Sequence, residues 1–512
     1  MAFEEFLNLN NTSENKIINR SYKDCVFTIT FNDADILADL QDVGLDTSTM
    51  KFELKIIIGG YEAAILKSPT GYFHIEQVLQ DYTKTDSQGY AKLFGSHLMP
   101  QSASNGILYN DRPHAIHKID KFACNRDNLI QVNFQIGLSF YNTDTQTFFP
   151  AKFTPPKNKH VLSRYYFWNA VQPHNTMNAT TDGIRDVTEF YPYILDMTNK
   201  KFLTNQLPEY DRKVRVSDYQ TLAFFNGKFC DSANQNHGHQ QGACANSLVK
   251  YIYCEIYDAN NNLTTVARVE NNEDNGGSYA PTLNSIALQP PNWMPWNRGL
   301  LYVGVGPANI INSWEDVTNG GIISSSDFSS ASRYEIFATG SGGIAQRKSV
   351  KYHFEITQDQ DCKGYETIRL AYLNNQGAWD YINFTKKSTR SVEITRSNYK
   401  QNYGVTPLRY GGSTNPSYNQ WDYDPAMGGT KTYNVNAIET IEANSDWLTE
   451  QDAIYLEELF VSPDVYMQER NREFVPVIVT EKDYTKQTKT NKKLIQYVIS
   501  IQKGHEHRIQ RL

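Results

Sequence analysis

A chain of 512 residues is too long for one hydrophobic core, so we expect about three domains. Aromatic residues make up 13% of the chain and charged residues only 21%, a balance that favours β-strands joined by Asn- and Gly-rich turns. The net charge of −7 argues against a nucleic-acid-binding protein, which needs a basic face.

Cysteine usage and the lack of an apolar run indicate a protein made in a reducing cytoplasm. The six cysteines are far apart, unlike the dense frameworks of small disulfide-rich domains. The start of the chain has no cationic and apolar pattern of a signal peptide, and no run approaches the ~18 apolar residues needed to cross a bilayer. We therefore expect a soluble protein with no membrane insertion.

The first 155 residues predict a flexible N-terminal arm followed by a β domain. Residues 1–20 are polar and Asn-rich, which is typical of an arm, and a Pro-rich polar break at 154–159 ends the domain assigned to 21–155. Alternating apolar residues predict four strands, at Cys25–Phe31, Lys51–Ile58, Ile130–Tyr141 and Arg164–Ala170.

Residues 156–345 predict a second β domain with long polar loops. Strand-like runs occur at Leu222–Phe225, Leu248–Tyr257 and Leu300–Val305. The Ser- and Gly-rich stretch 319–343 is interpreted as a long loop, as are 231–242 and 271–298. Such loops are usually functional or disordered, so we expect contact arms to neighbouring subunits or a linker.

Residues 346–512 predict a C-terminal β-rich domain with the one clear helix of the chain. The helix is expected between Thr449, which opens a capping-box pattern, and the Ser462-Pro463 stop. Strands are expected at Val350–Ile356, Ile368–Leu373, Trp379–Phe384, Ser391–Thr395, Thr432–Ile441, Phe474–Val479 and Leu494–Ile501. The fold class is thus mainly β, with several sandwich- or barrel-like domains in series.

The segment 365–384 predicts a hairpin whose side chains form core. Its Asn-Asn-Gln-Gly turn contains residues that tolerate positive φ, and Trp379, Tyr381 and Phe384 supply large apolar area to the returning strand. Asp380 is expected to cap or pair locally. Nothing in this segment requires catalysis.

A loop rich in Asn and Gln holds the best candidate metal ligands. Cys230, His237, His239 and Cys244, with Cys254 nearby, offer sulfur and imidazole in the pattern C-x6-H-x-H-x4-C, which one tetrahedral Zn²⁺ would suit. The pattern matches no standard zinc finger, and a polar loop with buried thiols is the favoured alternative. We therefore expect no cofactor, with zinc as the competing possibility. His114 and His117 are too few to form a site.

No nucleophile motif or nucleotide-binding loop is present in the sequence. Gly304-Val305-Gly306-Pro307 follows a strand but lacks the required glycine spacing, so we interpret it as a tight turn. We expect a non-enzymatic protein. A polysaccharide-degrading β-protein is an alternative, because glycoside hydrolysis needs only two nearby carboxylates.

Several tryptophans would allow a glycan-binding function. Trp293, Trp296, Trp379 and Trp421, together with the Tyr-rich loops, could stack on sugar rings. The competing interpretation is that they fill cores or contacts between subunits, where Trp and Tyr are common.

Two C-terminal blocks resemble virion structural proteins of tailed bacteriophages. The first, Tyr365–Ser388, contains YETIRLAYLN and GAWDY, and the second, Trp447–Tyr497, contains LEELFVSPDVY. The resemblance covers less than a third of the chain. It implies a tail or neck component, such as a ring, adaptor or fibre-attachment protein, that forms homo-oligomers and contacts other virion proteins. Its location would be the virion, assembled in the host cytoplasm, and a virion protein that binds a host receptor or glycan is the alternative.

Overall fold

The computed structural model confirms the mainly β fold class. It describes residues 7–11, 18–22, 26–31, 44–83, 88–89, 114–119, 122–124, 128–153, 165–171, 191–193, 195–208, 210, 212–225, 227–229, 245–247, 249–271, 300–357, 365–401, 404–405, 422–423, 428–448, 450–481 and 496–504. No helix within these ranges is both long and apolar enough to cross a membrane.

The chain divides into two compact units. Unit 1 comprises residues 1–361 and 371–381, and unit 2 comprises residues 362–370 and 382–512. The middle of the 365–384 hairpin therefore groups with unit 1. The domain boundaries expected at residues 20, 155 and 345 remain predictions.

The N-terminal part of unit 1 forms a three-stranded sheet of order β1-β3-β6 and a six-stranded sheet of order β2-β12-β10-β4-β5, in which β11 also pairs with β10; β7 and β8 form a two-stranded sheet. The predicted strand Lys51–Ile58 is confirmed, and two strands lie within the first 22 residues, where an arm is predicted. The elements are β1 Leu7–Asn11, β2 Ile18–Tyr22, β3 Val26–Phe31, β4 Lys51–Ile58, β5 Tyr61–Ser68, β6 Tyr72–His74, α1 Glu76–Tyr82, β7 Gln88–Gly89, β8 His114–Ala115, β9 Phe122–Cys124, β10 Leu129–Asn142, β11 Thr147–Phe149 and β12 Tyr165–Val171.

The rest of unit 1 adds a six-stranded sheet of order β13-β22-β21-β17-β18-β20 and a three-stranded sheet of order β14-β19-β9. Its elements are β13 Arg212–Val214, β14 Thr221–Phe225, β15 Gly227–Phe229, β16 Ala245–Ser247, β17 Tyr251–Tyr257, β18 Leu263–Glu270, β19 Leu300–Gly304, α2 Pro307–Ile310, β20 Glu315–Asp316, α3 Ser325–Ser329, β21 Arg333–Thr339 and β22 Tyr352–Ile356. Short 3-10 turns occur at Ile116–Lys118, Tyr191–Tyr193 and Gly343–Gln346. Gly304-Val305-Gly306-Pro307, predicted as a tight turn, joins the end of β19 directly to α2, with Gly306 as the residue before the first helical turn.

These two sheets share one buried core, as in a β-sandwich. Alternate residues of β17, such as Ile252 and Ile256, belong to the same cluster as Phe224 of β14. The Phe202 ring lies 5.9 Å from the Phe224 ring and 5.6 Å from the Tyr352 ring, centroid to centroid, and so connects β14 to β22. The predicted strand-like runs Leu222–Phe225, Leu248–Tyr257 and Leu300–Val305 therefore supply strands of this core, and these strands are buried along almost their whole length.

The predicted loop at 319–343 is wrong. It contains α3 and β21, and β21 is an internal strand paired with β17 on one side and β22 on the other. The Asp327 side chain accepts a hydrogen bond from the Ser324 backbone N–H at 2.7 Å, so the Ser-rich sequence serves as a helix start. Counting Ser and Gly as loop formers obscured the alternation in Arg333–Thr339.

The C-terminal strands form a seven-stranded sheet of order β24-β23-β29-β30-β31-β28-β25. The predicted helix is confirmed as α4, although Thr449 lies outside the described residues. The elements are β23 Ile368–Leu373, β24 Trp379–Phe384, β25 Ser388–Gln401, β26 Gly404–Val405, β27 Asp422–Tyr423, β28 Gly429–Asn444, α4 Glu450–Val461, β29 Val465–Gln468, β30 Phe474–Val479 and β31 Val498–Lys503.

Candidate functional site

The predicted site residues lie outside the described part of the chain. These are Cys230, His237, His239, Cys244, Trp293, Trp296 and Trp421. Cys254, their expected neighbour, is a buried free thiol on β17, and burial, followed by the charges of Glu255 and Glu335, raises its pKa. Within the described ranges, no group of three or more His, Cys, Asp or Glu side chains is placed to hold a metal ion.

The hairpin turn between β23 and β24 is held by its own side chains and by the core of unit 1. The Asn374 Oδ1 atom accepts hydrogen bonds from the backbone N–H groups of Gln376 and Ala378, both at 3.0 Å. Gly377 adopts a φ of +74°, and its carbonyl accepts a hydrogen bond from the Tyr302 hydroxyl at 3.1 Å. The positive φ expected in this turn is confirmed.

Asp380 is a buried carboxylate with three hydrogen-bond donors. Thr204 Oγ1 donates to Oδ1, while the Asn205 backbone N–H at 3.0 Å and Asn374 Nδ2 at 2.9 Å donate to Oδ2. Burial raises the pKa of Asp380, and the hydrogen bonds from Thr204, Asn374 and Asn205 oppose that rise. The expected local partner is Asn374, whereas sequence reasoning missed the two distant donors.

A second buried set of polar groups continues along the hairpin. The Tyr381 hydroxyl lies 2.8 Å from His117 Nδ1 and 2.9 Å from Thr221 Oγ1, and the His117 ring meets the edge of Trp379 at 4.7 Å. His117, Thr221 and Tyr381 are all at most 4% exposed. Their burial favours a role in fixing the hairpin within unit 1 over a role in binding substrate, and Trp379 and Tyr381 lie in the core as the sequence predicted.

Unit 1 also contains the kind of carboxylate pair that glycoside hydrolysis needs. Glu255 on β17 and Glu335 on β21 are direct cross-strand partners, and Lys351 Nζ contacts both. Burial acts to raise the pKa of Glu335, but hydrogen bonds from Lys351 and Arg333 outweigh it, and the net pKa is lowered. A catalytic acid needs a raised pKa, so the electrostatics of this pair favour charge neutralisation over proton donation.

Strands β25 and β28 form a long two-stranded ribbon in unit 2. They pair from Ser388 opposite Ala443 to Gln401 opposite Gly429, with one register shift between Ser397 and Asn398. Strand β31 pairs with β28 only over Thr440–Asn444, so the ribbon extends beyond the sheet over about ten residue pairs, or ~34 Å. The sequence predicted only Ser391–Thr395 and Thr432–Ile441 as strands here, because polar residues mask the pattern.

The surface of the ribbon is exposed and carries several large side chains. Val392 is 52% exposed and Ile394 44% exposed, and both lie on the same face of β25. Tyr399 and Tyr433 are also exposed, with ring centroids 6.3 Å apart. A two-stranded ribbon alone is only marginally stable in water, so these exposed side chains mark a candidate contact surface.

A chain of alternating charges connects the base of the ribbon to its neighbours in unit 2. Arg390 on β25 bonds to Glu366 and to Glu439 on β28, each at 2.9 Å. Lys503 on β31 bonds to Glu439 at 2.9 Å and to Glu469 at 2.7 Å. These side chains hold the ribbon base to β31 and to the turn after β29.

This charge chain borders an open cleft of about 490 Å³, and, against the opposing effect of partial burial, its ion pairs lower the pKa of Glu439 and raise the pKa of Lys503. The cleft is lined by Glu366, Arg390, Glu469, Arg470, Asn471 and Lys503. Partial burial acts to raise the pKa of Glu439, but the hydrogen bonds from Lys503 and Arg390 lower it overall. Because the lowered pKa keeps Glu439 ionised near neutral pH, its ion pairs with Arg390 and Lys503 are intact there.

Comparisons with known proteins add no information on function, so the geometry of the ribbon and of the buried polar groups is the main evidence. The chain matches no model of a known protein family, and no curated protein sequence is detectably similar to it.

Proposed function

We propose that this chain is a structural subunit of a bacteriophage virion, a tail or neck component that assembles as a homo-oligomer. The observation that carries the proposal is the β25–β28 ribbon, which extends ~34 Å beyond the last pairing of β31 with its side chains exposed. Arms of this kind gain stability when a neighbouring subunit covers them. The resemblance of the two C-terminal blocks to tailed-phage virion proteins is the reason for proposing that the assembly belongs to a virion.

The carboxylates of unit 1 support a non-enzymatic function. Lys351 and Arg333 neutralise the Glu255–Glu335 pair and lower the pKa of Glu335, which disfavours its use as a proton donor. If the chain were instead a polysaccharide hydrolase, purified protein would release reducing ends from host capsule or cell wall. We expect no release.

Shortening the ribbon tests the assembly function directly. Ser391 and Thr440 are register partners, so residues 392–439 can be replaced by an Asn-Gly turn that closes a short hairpin. We expect the full chain to form an oligomer by mass photometry and the shortened chain to be monomeric with an unchanged β-type circular dichroism spectrum. A full chain that is monomeric at every concentration would contradict the proposal.

The particle assignment needs a separate experiment. Mass spectrometry of purified virions should detect the chain at a constant copy number per particle, because a ring or adaptor is present in a fixed symmetry. A chain absent from intact particles would refute the virion assignment even if it forms oligomers.

A further inference from the structure

Strand β25 leaves one of its two edges unpaired among the described residues. It is the terminal strand of the seven-stranded sheet and pairs with β28 alone. Its 14 residues contain no proline, and it is far longer than the short edge strands by which proteins avoid edge-to-edge pairing. The open edge is therefore a template for another strand.

The side chains of β25 divide into two faces of different chemistry. Arg390, Val392, Ile394 and Arg396 lie on one face, together with Asn398 and Lys400. The other face is polar and uncharged except for Glu393. Arg390 is already paired with Glu366 and Glu439, so a pairing strand must keep cations away from Arg396 and Lys400 and must cover two exposed aliphatic residues.

We infer that the open edge of β25 pairs with β25 of a second copy in the antiparallel direction. The two copies are related by a two-fold axis at Ile394, midway between the Ile394 residues of the two strands. This inference rests on the proposed function, because it requires that the chain assembles with itself. It adds the contacting strand, the register and the symmetry of the contact.

Symmetry and charge together select this register. Residues that lie opposite each other in an antiparallel pair point to the same face of the sheet. A two-fold axis perpendicular to the sheet must therefore lie midway between two copies of the same residue. Of the residues of β25, only Ile394 and Thr395 lie close enough to its middle for nearly the whole strand to pair. An axis at Thr395 would set Ile394 of one copy opposite the charged Arg396 of the other. It would also set Val392 opposite Asn398, so neither aliphatic side chain would meet an apolar partner.

The axis at Ile394 places every charged residue of β25 opposite an uncharged one. Arg390 lies opposite Asn398 of the second copy, Arg396 opposite Val392, and Glu393 opposite Thr395, while the two Ile394 side chains meet at the axis. Pairing covers residues 388–400, about 44 Å of strand. Two ribbons that are marginal alone become a four-stranded sheet, β28-β25 of one copy joined to β25-β28 of the other.

A symmetric disulfide at position 394 tests the register in the full-length protein. Residues directly opposite in an antiparallel pair have Cα atoms about 4.5–5.5 Å apart, within the range that a disulfide accepts. In the inferred register, Ile394→Cys should form a covalent dimer when copper phenanthroline is added as oxidant. Val392→Cys is the matched control, because position 392 lies about 14 Å from its symmetry mate.

Two further samples complete the experiment: the parent protein with its native cysteines, and a mixture of two different cysteine variants. The parent protein treated with the same oxidant measures any dimer formed by its own thiols. An equal mixture of Val392→Cys and Arg396→Cys chains should form a mixed disulfide that neither variant forms alone. The expected result is a yield for Ile394→Cys at least ~10-fold above that of Val392→Cys, since only the first pair lies within bonding distance.

Two negative results are distinguishable by mass photometry of the unoxidised proteins. If the parent protein is oligomeric but Ile394→Cys and the mixed pair do not form disulfides, the β25 pairing is refuted while assembly stands. If the parent protein is monomeric at every concentration, both the pairing and the proposed assembly function are refuted.

Discussion

The turn at Gly377 provides the sharpest test of how the hairpin is held in unit 1. A Cβ atom added to Gly377 would lie 1.6 Å from the Asn169 carbonyl oxygen and 2.5 Å from its carbon, and both are backbone atoms that cannot rotate away. The backbone of Gly377 is also at a φ of +74°, which L-residues rarely adopt. We predict that Gly377→Ala strongly destabilises unit 1.

The expected magnitude follows from three contributions. The positive φ costs roughly 1–2 kcal/mol for alanine. Relieving the overlap by a backbone shift costs about 1–3 kcal/mol. The shift also weakens the hydrogen bonds that the Gly377 carbonyl accepts from Tyr302 and Asn128, which contribute about 1 kcal/mol each. We expect a total loss of about 4 kcal/mol in the free energy of unfolding.

Gly320→Ala is the matched control for this prediction. Gly320 has a similar φ of +77° but no heavy atom within 4 Å of an added Cβ, so it carries only the conformational cost. Urea unfolding followed by tryptophan fluorescence would report unit 1, because the Trp168 indole donates a hydrogen bond to the neighbouring Gln376 carbonyl at 3.2 Å. Equal losses for the two variants would refute the close approach to Asn169.

Three further predictions concern buried and half-buried ionisable groups of unit 1. Lys351→Met leaves Glu255 and Glu335 facing each other and should cost about 2 kcal/mol in urea unfolding at pH 7. Because the folded pKa of Glu335 is lowered, that cost should disappear as the pH falls below about 4. The pKa of Asp380 is raised in the folded state, so its contribution to the free energy of unfolding is present below pH ~4 and is lost as the pH rises. Urea unfolding at pH 4 and at pH 7 should therefore show that the parent protein loses stability relative to Asp380→Asn. Cys254 should resist alkylation until the protein unfolds, as mapped by peptide mass spectrometry.

The sequence predicted those strands whose two faces differ in polarity. Lys51–Ile58 alternates clearly, and the structure has the same bounds. The α4 helix was predicted from its start and stop signals, which act locally. Local patterns suffice in these cases because neighbouring residues along the chain determine the element.

The sequence did not predict features that depend on distant parts of the chain. Asp380 takes two of its three donors from Thr204 and Asn205, more than 170 residues away, and no local pattern indicates such a contact. The ribbon was underestimated because exposed strands need no apolar alternation, so Arg396 and Asn398 resemble loop residues. The interior strand Arg333–Thr339 was missed because the Ser-rich helix start before it resembles a linker.

The polar contacts around Asp380 in unit 1 and at the ribbon base in unit 2 differ in their sensitivity to salt. Around Asp380 the donors are a hydroxyl, an amide and a backbone N–H, all shielded from solvent, so salt should change their strength little. At the ribbon base, by contrast, Arg390 and Glu439 are partly exposed charges, and dissolved ions screen such pairs within about 8 Å at physiological ionic strength. The hairpin in unit 1 is therefore suited to hold one fixed arrangement. The ion pairs at the ribbon base in unit 2 can instead be exchanged for other contacts at low cost, which supports the proposed assembly through the ribbon.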